Sequence, residues 1–231
     1  MKKLLAIVLL LCLVCTSAFA AGKLERTETR VVREKREYDD NYEIKVFIQM
    51  KNTGDAPVGL DSAKIKLLDA SGNVLEETTA YGMYPSTLQP GEVGYIYEYF
   101  YSIEADKATA LSSYTVEFEA EDSWLDELKP VEHTAKYEAV ERWGEKYPTV
   151  FYTVTNNTAE TLWDVELISV IRAADGKILA MLNDTMYNVG VEPGSTVQYK
   201  SEMSSGDLER WTAKGYTVGA VESFAYIEID D

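Results

Sequence analysis

From Tyr42 to Lys51 the chain alternates: Ile44, Val46, Ile48 and Met50 point one way, and mostly polar or charged residues point the other. A period of two marks a half-buried strand. Asn52-Thr53-Gly54-Asp55-Ala56-Pro57 follows, where Asn and Gly accept positive φ and Pro cannot donate to a ladder, so the chain must reverse. Ala63 to Leu67 alternates again, Asp69-Ala70-Ser71-Gly72-Asn73 closes a tight loop, and Val74 to Thr78 leads away as the partner strand of a β-hairpin. Leu88-Gln89-Pro90-Gly91 punctuates before a strand over Tyr95 to Ser102, and Ser113 to Glu119 supplies a last alternating strand after a first one over Thr29 to Glu37.

The same events then recur. Asn52 returns as Asn156, Gly72-Asn73-Val74-Leu75 as Gly176-Lys177-Ile178-Leu179, Pro90-Gly91 as Pro193-Gly194, and Tyr114-Thr115-Val116 as Tyr216-Thr217-Val218, at offsets of 102 to 104 residues. Short loop deletions in a duplicated fold leave such a drift. Six or seven short strands per copy, turn signals between them and almost no helical periodicity predict an all-β chain of two tandem immunoglobulin-like antiparallel β-sandwiches. The expected division is a signal peptide over 1–20, one repeat over 21–128 and a second over 129–231. Between the repeats, Ser123 to Leu128 has the makings of one helical turn, with Ser123 as N-cap and Pro130 as stop; Trp124 and Leu128 are expected to pack between the sandwiches. Similar breaks fall at Asp106 to Leu111 and at Asp207 to Ala213, the latter containing Trp211.

The start of the chain changes the picture of where it works. Met1-Lys2-Lys3 is basic, Leu4 to Val14 is unbroken apolar, and Ala18-Phe19-Ala20 offers small residues where a signal peptidase reads. That run is too short to span a bilayer, which needs about 20 residues in helix. Export with cleavage before Ala21 is therefore expected, to the medium or the cell surface, with no stable membrane insertion afterwards. Cys12 and Cys15 are the only cysteines and leave with the leader. Each repeat must then hold together on its own apolar core without disulfides, which suits a bacterial surface.

The whole chain carries 39 acidic against 22 basic residues, a net charge of −17, and removing Lys2 and Lys3 makes it more acidic. Nucleic acid is not an expected partner: the field repels a polyanion, and the one basic stretch, Arg30 to Arg36, is interleaved with Glu34 and followed by Glu37, Asp39 and Asp40.

Ile65-Lys66-Leu67-Leu68-Asp69 followed by Gly72, the upstream strand and turn from Val46 to Asn52, and the downstream Leu88-Gln89-Pro90-Gly91 resemble the FxLYD-type domain of bacterial exported proteins. The first copy has Ile65 and Leu68 where the motif has Phe and Tyr. The second departs further, with Ser169, Ile171, Arg172 and Ala173 at the aligned positions, while Asn156 and Pro193-Gly194 persist. The resemblance implies a small immunoglobulin-like sandwich and brings no catalytic residue with it.

Catalytic chemistry has little to draw on. His133 is the one histidine, at the start of an expected strand with no nucleophile motif near it, and reads as a surface residue. Zinc, copper or iron sites need several His or Cys ligands, so no metal and no cofactor is expected. Carboxylates are abundant, and a glycosidase pair must converge in a cleft, but Asp39-Asp40, Glu117-Glu119-Glu121-Asp122 and Asp230-Asp231 fall in turns, along an edge or at the terminus, and nothing in the sequence specifies such a pair. Asp69 to Asn73 is oxygen-rich enough to suggest calcium, although a hairpin loop accounts for it without metal. Asn156-Asn157-Thr158 and Asn183-Asp184-Thr185 match the glycosylation sequon, and for the first a role in the repeated turn is the simpler reading.

One candidate surface stands out. In Tyr95-Ile96-Tyr97-Glu98-Tyr99-Phe100-Tyr101 the four tyrosines share one strand face. Counted without a gap from Pro-Gly, Tyr95, Tyr97 and Tyr99 align with Gln198, Lys200 and Glu202, and Ile96 and Phe100 with Tyr199 and Met203, which turns the tyrosines outward. A one-residue slip would turn them into the core, and both arrangements stay open at this level. Outward, Tyr95, Tyr97, Tyr99 and Tyr101 suit a sugar, a peptide edge or the neighbouring repeat, because tyrosine offers apolar area with a polar tip. The expected function is a non-catalytic exported module that binds an extracellular protein or glycan, or spaces other parts at the bacterial surface. The alternatives are an accessory or inhibitory subunit of an exported enzyme, or a carboxylate-dependent hydrolase.

Overall fold

The computed structural model describes residues 21–122 and 128–227. The leader over 1–20, the Trp124 contact expected in the linker and the Asp230-Asp231 cluster lie outside these residues.

The chain is all-β. In the N-terminal half the strands are β1 (Leu24–Lys35), β2 (Tyr42–Asn52), β3 (Val58–Leu68), β4 (Val74–Ala80), β5 (Thr87–Leu88), β6 (Val93–Ile103) and β7 (Ser113–Asp122), with a short helix α1 (Ala105–Ala110) before the last. In the C-terminal half they are β8 (Lys129–Pro130), β9 (Glu132–Arg142), β10 (Glu145–Thr155), β11 (Glu166–Ala173), β12 (Ile178–Thr185), β13 (Thr196–Glu202) and β14 (Val218–Ile227), with helix α2 (Ser205–Ala213).

The pairing order is the same in both halves. β1-β2-β6 faces a sheet in which β3 lies between β4 and β7, and β9-β10-β13 faces one in which β11 lies between β12 and β14; β5 adds to β3 and β8 to β14. All these pairs are antiparallel, and among the described residues no ladder joins the two halves. The expected alternation is what fills each sandwich. Ile44, Val46, Ile48 and Met50 meet Ile65, Leu67, Ile96 and Phe100 in one core, and Val150, Tyr152 and Val154 meet Leu167, Ile171 and Ala225 in the other. At the breaks the chain turns through α1, which buries Ala108, and through α2, capped by Ser204 and anchored by buried Trp211.

The repeated turn residues are repeated in conformation. Gly72 and Gly176 sit at φ 84° and 85°, and Gly91 and Gly194 at 86° and 72°, backbone that costs a residue with a Cβ about 1 kcal/mol or more.

A third apolar cluster lies between the halves. Phe47 and Tyr95, with Val32 against them, project from the outer face of β1-β2-β6 onto Val170, Ile178, Met181 and Phe224 of the β12-β11-β14 sheet. The C-terminal half therefore covers part of the outer face that carries the tyrosines.

Candidate functional site

The register of β6 settles which way the tyrosines point. Tyr95, Tyr97 and Tyr99 lie opposite Gln49, Phe47 and Lys45, while Ile96 and Phe100 lie opposite the core residues Ile48 and Ile44. In β13, Tyr199 lies opposite core Tyr152, and Gln198, Lys200 and Glu202 lie on the other face. The ungapped alignment holds, and the tyrosine face is the outer one. Glu98 is on the inner face and half-buried, and that burial raises its carboxyl above the ordinary range.

The four tyrosines do not share one environment. Tyr95 is only 1% exposed, because the C-terminal half sits on it. Its hydroxyl donates to Glu222 and accepts from Gln49 at 2.6 Å and Arg172 at 3.1 Å, and its ring tilts against Phe224. Burial, then the Glu222 contact, pushes the phenol up to about 12. Tyr95 is thus an interface residue and not part of an exposed strip. Tyr97 stacks on Phe47 with ring centroids 5.1 Å apart and is 36% exposed. Tyr99 and Tyr101, 38% and 58% exposed, form a tilted pair 5.9 Å apart.

A cation completes the open end. The Arg36 guanidinium lies 4.1 Å from the centre of the Tyr101 ring and donates through Nη2 to its hydroxyl, while its Nη1 reaches both Ser102 Oγ at 3.0 Å and Asp39 at 2.8 Å. Desolvation raises the Tyr99 phenol, and a hydrogen bond to Glu43 adds to it. Two tilted rings, an arginine that is fixed on three sides and a carboxylate make a surface able to stack on a flat apolar face and hydrogen-bond its rim.

Elsewhere, carboxylates that converge do so on cations. Arg172 binds Glu28 at 2.8 Å across the boundary between the halves, and also Glu222 on the neighbouring strand of its own half. Glu34, buried, binds Lys45 at 3.0 Å, Arg210 at 3.3 Å and Lys214 at 3.4 Å, and Asp207 joins Lys45 at 3.5 Å and Arg210 at 2.6 Å. Burial alone would raise the Glu34 carboxyl, but the three cations hold it below its ordinary value. This chemistry joins β1 and β2 to α2.

His133 is half-buried in β9, with Nδ1 3.0 Å from the Val131 carbonyl and Nε2 3.0 Å from Ser223 Oγ. It lines an apolar cleft of about 420 Å³ between the halves, beside Pro85, Val93, Leu128, Phe224 and Tyr226. Asp69 spends its carboxylate on its own hairpin, accepting from the Ser71 and Asn73 amides and the Asn73 side chain at 2.8 Å each. The Asn73 bonds lower it below the ordinary carboxylate range. Among the described residues no group of three or more His, Cys, Asp or Glu is placed to hold a metal ion, and no helix is long and apolar enough to cross a membrane.

Tyr97, Tyr99 and Tyr101 are the sequence candidates that remain open to solvent. Arg36, Phe47, Arg172 and Glu222 were not singled out by sequence. Phe47 carried a signal, an aromatic ring on the otherwise polar face of β2, whereas Tyr101 beside Arg36 and Glu28 beside Arg172 lie 65 and 144 residues away from them in sequence.

No protein-family model matches the chain, and no curated protein does. Among solved structures it is similar to red sea bream transglutaminase, at 12% identity and a TM-score of 0.23, covering 77% of this chain and 27% of that one. The chain thus spans about a quarter of that structure's length, and a likeness this low carries no functional argument.

Proposed function

We propose that the chain is an exported, non-catalytic binding module of two tandem FxLYD-like sandwich repeats, acting at a bacterial surface on an extracellular protein or glycan. The carrying observation is that the outer tyrosine face extends beyond the docked C-terminal half, leaving Tyr99 and Tyr101 paired beside Arg36. A water-facing aromatic pair gains little for the fold and much for a ligand that covers it. The shared pairing order of the two halves supports the tandem reading, and the basic start with Ala18-Phe19-Ala20 supports export. Converging carboxylates neutralised by Arg172, Lys45 and Arg210 favour binding over hydrolysis.

The test is co-sedimentation of the secreted chain with a purified cell-wall polysaccharide and with a surface-protein extract, comparing wild type with Tyr99→Ala and Tyr101→Ala. Loss of binding at unchanged melting temperature supports the reading. Binding that is unaffected by both substitutions overturns it.

A further inference from the structure

The cations of this acidic chain are mostly consumed by carboxylates, but in one place two arginines held by neutral groups, Arg30 and Arg33, are gathered with two lysines. A cleft of about 400 Å³ runs along six consecutive residues of β1, from Glu28 to Arg33, and its opposite wall is Lys177, Lys214 and Tyr216 of the C-terminal half. It holds four cations and one glutamate in a chain of net charge −17.

Their contacts leave a surplus of positive charge. Arg30 donates to the Ile178 carbonyl and lies 5.0 Å from the centre of the Tyr216 ring; Arg33 donates to the Ala108 carbonyl and lies 5.9 Å from the Tyr42 ring. All these partners are neutral. Lys177 sits 5.6 Å from the centre of the same Tyr216 ring, so two cations share one aromatic ring, and its ion-pair partner among the described residues is the exposed Asp175. Lys214 shares Glu34 with Lys45 and Arg210. The one glutamate, Glu28, is already bound to Arg172. Like charges held together repel unless an anion enters between them.

The floor of the cleft is a strand edge. β1 pairs with β2 on one side, and among the described residues no strand lies on its other side. Its register shifts between Arg26 and Glu28, so the regular stretch that follows is the one the cleft lines. An edge strand directs alternate N–H and C=O groups outward, ready for another strand. Arg30 and Val32 lie on the face toward Lys177 and Tyr216, because they pair opposite Phe47 and Lys45 of the outer face; Arg33 lies on the opposite face, across from core Ile44. An incoming strand would find cations on both sides.

We infer that the β1 edge from Glu28 to Arg33 is a docking site for an extended acidic peptide of another protein, which adds as a strand and places carboxylates at alternate positions against Arg30, Lys177 and Lys214. The six residues offer about 20 Å of ladder, enough for a short linear segment. Main-chain bonds give affinity, and the cations select acidic side chains. This site is separate from the tyrosine face on β6 and stands or falls without it.

The test is fluorescence anisotropy with the secreted chain from Ala21 onward and a labelled peptide of about ten residues alternating Glu and Val. Controls are the same peptide with Lys for Glu, the Glu peptide N-methylated at alternate amides, and a sulfated polysaccharide. The inference expects saturable binding of the Glu peptide alone, slowed hydrogen exchange of amides within Glu28 to Arg33, and about tenfold weakening in Lys177→Glu. That variant changes an exposed side chain and should keep the wild-type melting temperature; Arg33→Gln is its companion on the other face. Equal binding of the N-methylated peptide or the polysaccharide would make the cleft a general polyanion site and overturn strand addition. No binding, or binding indifferent to both substitutions, overturns the site itself. A chain that self-associates in sedimentation, with the peptide breaking the dimer, would show that the edge belongs to a second copy and overturn the assigned partner.

Discussion

Asn52 and Asn156 make the same hydrogen bonds in the two halves. Asn52 Nδ2 donates to the carbonyls of Ala56 at 2.7 Å and Leu88 at 2.9 Å, and Asn156 Nδ2 to those of Glu160 and Val191 at 2.7 Å each. Each Oδ1 accepts the amide two residues on, from Gly54 or Thr158. Each main-chain carbonyl accepts the glycine of the Pro-Gly turn, Gly91 or Gly194. One buried amide thus ties the end of a strand to two loops, and no other side chain of that size offers two donors and an acceptor.

Asn52→Ala and Asn156→Ala should therefore each cost about 2–4 kcal/mol, since the buried carbonyls lose their partners and the turn its brace. Chemical denaturation of both variants measures this. Asn156 should also carry no glycan even in a glycosylating host, because its nitrogen is wholly inside, and intact mass checks that.

The tyrosines should separate by stability. Tyr95→Ala removes a buried ring and three hydrogen-bond partners and should cost about 3–5 kcal/mol, whereas Tyr99→Ala and Tyr101→Ala should stay within about 1 kcal/mol. Tyr95→Phe should fall between, leaving Glu222, Gln49 and Arg172 without the hydroxyl. Thermal unfolding of the four variants orders them.

Glu34→Gln leaves Lys45, Arg210 and Lys214 facing one another and should cost about 3–5 kcal/mol near neutral pH. The sign with pH follows from the carboxyl being held below its ordinary value of 4.5. Its contribution is present above that value and is lost as pH falls through the lower, folded one. The gap between wild type and variant should close in acid. Lys45 is held above its ordinary 10.5, so its share is complete below that value and disappears as pH rises through the folded one. Melts from acid to alkali follow both ends.

Cleavage after Ala20 should give an intact mass beginning at Ala21, and it would act on the fold as well. The Ala21 nitrogen donates to Asp55 Oδ1 at 2.7 Å. As a free amine it would make that contact an ion pair, so Asp55→Asn should cost up to about 1 kcal/mol, and less at high salt. Melting at two ionic strengths tests it.

Strands and turns were legible because local rules govern them: alternation from Ile44 to Met50, and Gly72 or Gly91 where φ must be positive. The outward tyrosines were legible only through comparison of the copies, as one register slip reverses a strand. What covers Tyr95 was not. That depends on Val170, Ile178 and Phe224 arriving from far along the chain, and no period within β6 encodes it. Lys45 was placed on the polar face, but its partners Glu34 and Asp207 meet it only after folding.

The apolar seam of Phe47, Tyr95, Val170 and Ile178 bears on how the chain can be handled by proteases and by experimenters. A fragment ending at 122 would carry Phe47 and Tyr95 bare to water, a sticky stripe that invites aggregation. Neither piece is expected to be a good stand-alone protein, and a cut in the 123–127 segment should not by itself release them. The nicked chain should elute as one particle until denaturant parts it, so the pair is the practical unit to express and purify.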